Sequence, residues 1–432
     1  MAANSDVIII GAGIIGAATA FELAKKNYRP LVFDTLPAAG YGSTSNSCAV
    51  IRTHYSTWDG IAIAYEGYFH WKNWGAYIGV EDDRGSARFV NSGGLILGHI
   101  SDRVLGYFNK LGIEFEVWDM DTLARMAPYY DHHDFSPPRK PEDEHFFDDP
   151  TSKFTQAVYV PSTGYVNDPQ LTVHNLQGAA EANGARFFFD RKVVAVHRGK
   201  TRVTGITLEN GDRIDAPVIV NAAGPHSFIV NRMAGVESNM HIKTRALRHE
   251  VHFVPAPAGV NFEKEGYVTS DATLATYHRP EAGNMVLVGS MDPECDEKIW
   301  VDDPDRFNRN VTTEQWRAQV YRLARRIPEL PIPSAPKGIV DLYDVSDDWI
   351  PIYDRSDLDG FYLAVGTSGN QFKNGPVVGQ MMAALIDACE NGHKHDEDPV
   401  TFKTTYTDQR LNMGFYSRLR QINRDSSFSV IG

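Results

Sequence analysis

The chain has no basic excess, no long apolar run and almost no cysteine, and each shortage excludes something. Acidic residues outnumber basic ones by 55 to 42, for a formal net charge of -13. A phosphate backbone is gripped by a basic face, so nucleic acid is excluded as an expected partner. No apolar run nears the roughly 20 residues that cross a bilayer, so no membrane span is expected. The three cysteines, Cys48, Cys295 and Cys389, stand far apart. They match neither a metal-ligand spacing nor a disulfide framework, as in a reducing compartment. The opening MAANSD has no basic region ahead of its apolar run, so no signal peptide is read there and a cytoplasmic protein is expected. His132, His133 and His145 lack the spacing of a metal site on a regular element, and no metal is expected.

At 432 residues the chain exceeds what one core usually supports, so two domains are expected. Residues 6–34, DVIIIGAGIIGAATAFELAKKNYRPLVFD, have the form strand, glycine turn, helix, strand. The apolar run at 7–10 suits a buried parallel strand. Gly11 permits a tight turn, Gly13 a close approach of backbone to a pyrophosphate, and Gly16 close packing of helix on strand. The helix that opens with Ile14 and Ile15 points its positive end at those phosphates. Asp34 stands 18 residues beyond Gly16, near the spacing at which an acid bonds ribose hydroxyls. Together these features define a dinucleotide site. The next stretch, GYGSTSNSCAVIRTHYST at 40–57, offers Ser43, Thr44 and Ser45 as hydroxyl and backbone donors. Taken alone it reads as an ordinary surface loop.

Further along, residues 60–78 form an aromatic-rich helix, and 88–98 read as strands around the Gly93-Gly94 turn. A proline-bearing stretch at 129–154 holds seven acids between Asp131 and Asp149 and reads as a solvated loop, or else as a lid or docking segment. Residues 193–225 form a β-meander with a hairpin signal at Asn210-Gly211. It ends in a buried strand and the small turn Ala222-Ala223-Gly224, a second place for backbone to approach a cofactor. A helix is expected at 313–326 and a strand at 361–366. Then comes VGTSGNQFKNGPVVGQMMAALI, 365–386, which sets one charged side chain, Lys373, just ahead of an apolar helix. Nucleotide-type βα segments thus occur at the start, middle and end of the chain, so two interleaved domains are expected.

The order of VIIIGAGIIG, GSTSNSCAVIR, GYVNDPQL, VIVNAAGP, YHRPEAGNMVLVG and GTSGNQFK resembles the FAD-dependent amine oxidoreductases related to D-amino-acid oxidase, glycine oxidase and monomeric sarcosine oxidase. The resemblance implies an α/β fold, an FAD-binding Rossmann-like domain interleaved with an α+β substrate domain on an antiparallel sheet. The FAD-binding domain would take 1–60, 156–240 and 336–395, the substrate domain 61–155 and 241–335, with a tail at 396–432. It implies that FAD lies against Gly11, Gly13, Ile14, Ile15, Gly16 and Asp34, and above the segment from Ser43 to Arg52, which includes Ala49 and Val50. Val193 would meet the adenine, and Ala223 and Gly224 would approach the cofactor. Gly366, Ser368, Gly369, Asn370, Gln371, Phe372 and Lys373 would face the pyrimidine end of the flavin, where reduction places negative charge. The family's pair of carboxylate-holding cations corresponds to Arg52 and Lys373. An arginine fork bonds a carboxylate bidentately and a lysine adds a point charge. Tyr277 either orients the substrate amine or is packed structurally, and His54 and His278 are weaker candidates.

What the resemblance implies, then, is oxidation of the C–N bond of an amino acid or N-alkyl amino acid by hydride transfer to flavin N5, giving an imine that hydrolyses. The departures carry information too. Asp341 stands where sarcosine oxidase has its flavin-linking cysteine, so non-covalent FAD is expected there. Leu287 stands where that relative has its oxygen-activating lysine, and Met291 where a histidine follows. The electron acceptor is therefore oxygen, or else a protein or quinone partner of a dehydrogenase. A 2-hydroxy-acid dehydrogenase with a histidine base is the remaining catalytic alternative. A homo-oligomer or an acceptor subunit is the remaining partner class, with Arg418, Arg420 and Arg424 of the tail docking on the acidic body or on a neighbour.

Overall fold

The computed structural model describes residues 5–98 and 100–431. Residues 1–4, on which part of the reading against a signal peptide rests, lie outside them. The run Val7–Ile10 is buried along its whole length because it is a central strand with a neighbour on each side. It pairs in parallel with Pro30–Phe33 and with Val218–Asn221. The six-stranded sheet runs Arg186–Phe188, Pro30–Phe33, Val7–Ile10, Val218–Asn221, Phe361–Val365, Ile352–Arg355, and only the last pair is antiparallel. Helices Ile14–Lys25, Pro169–Ala182 and Gly375–Glu390 pack on one face. The meander Val193–Arg198, Val203–Leu208, Arg213–Asp215 covers the other, with Val196 and Ile206 against Ile8 and Ile219.

A second, nine-stranded sheet is mostly antiparallel. Its spine is Thr244–Pro255, which pairs along one edge with Gly338–Ser346 over nine residue pairs. Its other edge meets Met285–Ser290 and Ile299–Val301. Gly94–Leu97 and Ala157–Val160 belong to this sheet as well. The helix Thr313–Arg326 packs on it with the bounds the sequence predicts.

The structure makes three expectations more specific. Phe89–Val90 and Gly94–Leu97 do not pair with each other: the first joins Gly164–Val166 and the second enters the large sheet. The chain switches sheets at Gly93, whose φ of 73° lies in the left-handed region. The stretch 129–154 is largely an irregular loop, exposed at Glu142, Glu144, Asp148 and Asp149, but it is anchored to the body. Tyr130, Phe146 and Phe154 are buried, and Arg322, Arg325 and Arg326 donate to its backbone carbonyls. Of the tail arginines, Arg418 and Arg420 dock on acids of their own chain, one of the two expected places. Arg418 pairs with Asp354 and Asp396, and Arg420 with Asp348, while the Glu66 carboxylate accepts the N–H groups of Thr405, Tyr406 and Thr407. Arg424 is exposed.

Among the described residues no helix is long and apolar enough to cross a membrane, and no group of three or more His, Cys, Asp or Glu side chains could hold a metal ion. One ion pair in the large sheet's core, Arg326 to Asp271, is 2.7 Å long with both side chains fully buried. Removing one member of such a pair strands the other charge, at about 3–5 kcal/mol. Arg326→Ala should therefore lower the unfolding free energy by that amount in urea titration and expose 129–154 to proteolysis. A change under about 1 kcal/mol would show that the pair does not organise the loop.

Candidate active site

The glycine turn after Val7–Ile10 is shaped by close backbone approach. A methyl group on Gly11, whose φ is 108°, would lie 2.3 Å from the Ala222 carbonyl oxygen, and one on Gly16 would lie 1.9 Å from that of Gly11. Gly13 caps the helix Ile14–Lys25 with no side-chain bond and no acid in the first turn, so its N-terminal charge is uncancelled. Asp34 accepts the Ala12 N–H at 2.7 Å and the Leu36 N–H at 2.9 Å, one on each carboxylate oxygen. Burial pushes its carboxyl above the usual range in spite of these bonds.

Thr44 Oγ1 accepts the Ile14 N–H at 3.2 Å, which brings the small hydroxylic loop to the helix terminus. The hydroxyls of its neighbours have partners within the fold. Ser43 Oγ donates to the Leu342 carbonyl at 2.9 Å and Ser45 Oγ to that of Gly42 at the same distance, so both hydroxyls tie the loop down. Asp341 helps them, accepting from Asn46 Nδ2 at 2.6 Å. Ala49 takes a φ of 47° just before the strand Val50–Ile51. Val193 opens the meander opposite Leu208. The Ala223 N–H donates to Asn221 Oδ1 at 3.1 Å, and beside Gly224 there is open space.

The glycine-rich loop at 366–372 is pinned from the nine-stranded sheet. Asp344 accepts the Gly366 N–H at 2.6 Å and the Ser227 hydroxyl at 2.8 Å, and its carbonyl accepts the Ser368 N–H at 2.7 Å. Tyr343 lies against Gly369, where a methyl group would come 2.4 Å from its ring. Gln371 accepts from Tyr353 and Asn374, and Phe372 stacks on Trp71 at 5.3 Å between ring centres. Asp344 and Tyr343 were missed from sequence. Their only signal is alternation within GIVDLYD, which leaves their partners unspecified.

Lys373 sits in the turn Phe372–Asn374 with its ammonium 2.8 Å from the Asn370 carbonyl and 3.1 Å from the Tyr55 hydroxyl. The Arg52 guanidinium lies over the same Tyr55 ring, 4.4 Å from its centre. The structure thus brings Arg52 and Lys373 together around one phenol. Both are buried, and no carboxylate is among the groups acting on either. Burial pushes both cations down, Lys373 well below the usual lysine range with Arg52 adding to the effect. Arg52 Nη2 donates to the Val430 carbonyl at 2.6 Å, while Nη1 is buried without a partner.

His54 lies beside Arg52, and burial, with that charge second, pushes its imidazole down to about 3, so it is neutral near pH 7. Tyr277 packs over Gly289 with its hydroxyl 3.2 Å from Cys48 Sγ, and belongs to an apolar cluster with Tyr343, Met291 and Val430. His278 is elsewhere, bonded to the Tyr130 hydroxyl at 2.6 Å inside the substrate-sheet core. Leu287 is buried hydrocarbon.

A glycine turn, a helix terminus with no acid at it and an acid just beyond the second strand define a dinucleotide-binding fold. A family model described as FAD dependent oxidoreductase (DAO) matches residues 6–385, and the chain belongs to that family. It is an enzyme of the FAD-dependent oxidoreductase class. It is 22% identical over 426 residues to FAD-dependent oxidoreductase domain-containing protein 1 of Bos taurus, covering 89% of this chain and 81% of that one. It is 23% identical over 397 residues to sarcosine oxidase subunit beta of Rhizobium meliloti (strain 1021), covering 88% and 84%. The fold is that of L-proline dehydrogenase from P. horikoshii, with a TM-score of 0.74 at 20% identity over 97% of this chain and 98% of the other. The donor set fits FAD: an uncancelled helix terminus suits its pyrophosphate, and Asp34 retains lone pairs for ribose hydroxyls.

The Asp344 carboxyl, raised to about 7 by burial, gives the fold a pH signature. Its unfolded value is 3.8, so between about 4 and 7 the unfolded chain ionises while the folded one keeps its proton. Stability should fall across that window as pH rises, by a few kcal/mol. Urea unfolding at pH 5 and pH 7.5 reads the difference, and Asp344→Asn should flatten it. An unchanged slope in the variant would assign the effect to another group.

Proposed function

We propose that this enzyme oxidises the C–N bond of an amino acid or N-alkyl amino acid whose carboxylate is gripped between Arg52 and Lys373. The observation that supports this is the pair of buried cations around Tyr55, which have no acid to balance them, one guanidinium nitrogen being unpartnered. Two like charges taken out of water are costly unless an anion joins them. FAD, when bound, supplies the hydride acceptor. The chain supplies position and field: Arg52 bonds one face of the carboxylate, Lys373 adds a second charge, and the Asp344-pinned loop holds Lys373 in place. Tyr277 and Tyr343 wall the site with apolar surface and keep water out. The product is an imine, hydrolysed after release.

A histidine base is what an alcohol substrate would require. His54 is held neutral with little basicity, and His278 is bonded away from the cations, so these residues support the amine reading over the hydroxy acid. Leu287, buried where the resemblance places an oxygen-activating lysine, favours a protein or quinone acceptor over oxygen. Three free, separated cysteines support a reducing compartment such as the cytoplasm.

The test is anaerobic titration of the flavin band with N-methyl, D- and L-amino acids. Arg52→Ala and Lys373→Ala should each weaken substrate binding at least 100-fold, the ~3 kcal/mol scale of a charge-assisted contact, with FAD content unchanged. Equal loss of FAD and substrate would overturn the assignment. Lys373 adds a second signature. Its ammonium is depressed in the folded enzyme, so an arriving carboxylate should draw a proton onto it. Calorimetry at several pH values, in buffers of different ionisation heat, should show proton uptake that is absent in Lys373→Met. Buffer-independent heats throughout in the unaltered enzyme would contradict a depressed lysine.

A further inference from the structure

The tail does more than pack. Residues 396–423 are bolted to the body through Glu66, Arg418 and Arg420. Beyond them the attachment changes in kind. Asp425 meets Arg103 in an exposed pair, a type of contact that contributes little. Ser427 and Phe428 face solvent, whereas Ser426, Ser429, Val430 and Ile431 are buried. The segment is folded on itself by hydroxyls: Ser426 Oγ accepts the Phe428 N–H at 3.2 Å, and Ser429 Oγ accepts the Ile431 N–H at 3.2 Å.

Its inner end stands in the site. The Val430 carbonyl takes the Arg52 Nη2 proton at 2.6 Å, and its side chain packs with Leu247, Val345 and Trp349 beside Tyr277 and Tyr343. A backbone carbonyl on the anion fork and an isopropyl group in an apolar recess have the outline of a branched amino acid. The carbonyl fills only one arm of the fork, since Nη1 is left without a partner. A carboxylate would engage both arms and bring a negative charge that the carbonyl lacks. Ordering the segment also carries a conformational cost that release returns.

We propose that residues 426–431 are a displaceable strap that stands in for the substrate, occupying the Arg52 fork until a carboxylate with a small apolar substituent expels it. This rests on the reading of Arg52 and Lys373 as the carboxylate site. The strap keeps water from the buried cations at rest and makes binding depend on a ligand that satisfies both arms of Arg52.

Isovalerate, a branched carboxylate with no amine to oxidise, is the probe. In the FAD-loaded full chain, saturating isovalerate should speed tryptic cleavage after the exposed Arg424 at least fivefold, read by mass spectrometry of the released 425–432 peptide. A chain ending at Arg424 and loaded with FAD should bind isovalerate at least tenfold more tightly by flavin difference spectra. If isovalerate binds the full chain without changing cleavage after Arg424, or binds the shortened chain no more tightly, the strap is a fixed wall and the proposal falls. If isovalerate binds neither protein while both hold FAD, the carboxylate reading of Arg52 and Lys373 fails with it. The proteolysis arm uses the intact chain, so a shortened chain that folds poorly does not remove the test.

Discussion

Two basic side chains, Arg52 and Lys373, gathered around one phenol, out of water and without an acid beside them, are the constraint around which the candidate site is arranged. Such a pair destabilises the fold that contains it, so neighbouring structure must hold both groups against their tendency to separate and hydrate. Arg52 arrives on the short strand and loop that follow the hydroxylic segment, and Lys373 on a single turn at the head of a buried helix. The Tyr55 hydroxyl and the Asn370 carbonyl accept from the lysine, and the Tyr55 ring faces the guanidinium. The phenol thus couples two parts of the chain that are remote in sequence.

The strand Gly338–Ser346 connects that pair to the rest of the fold. It is zipped along the spine of the large sheet, yet its side chains serve the nucleotide-type domain. Asp341 braces the loop at 43–46, Tyr343 lies over Gly369, and Asp344 fixes Gly366 and Ser368. One strand therefore sets the position of two loops that approach the cofactor site from different directions. Its acid at 341, conspicuous in the sequence only as a replacement for a linking cysteine, is a strut.

Local patterns were legible and long-range ones were not. The glycine turn, the helix that follows it, the meander and the helix Thr313–Arg326 are encoded by periodicity and turn chemistry over a few residues. The resemblance drew Arg52 and Lys373 together, and the structure sets them around Tyr55. The omissions share a cause. Arg322 and Arg326 lie on the expected helix, and their burial among distant carbonyls and Asp271 leaves no trace in the local sequence. Those same arginines anchor 129–154, which the sequence marks only as an acidic loop. Ser43 and Ser45 donate their hydroxyls to backbone carbonyls, partners that a hydroxyl-rich stretch does not announce.

The clamp from Asp344 to the glycine loop has a further consequence. Its acceptors lie on a strand fixed by nine successive pairings, so the loop's dipoles cannot swing without unzipping the sheet. Dipoles aligned during folding need no realignment when charge arrives beside them. An electron-transfer event beside this wall, where the proposed function puts FAD, would therefore cost little reorganisation, the protein acting as a frozen polar solvent.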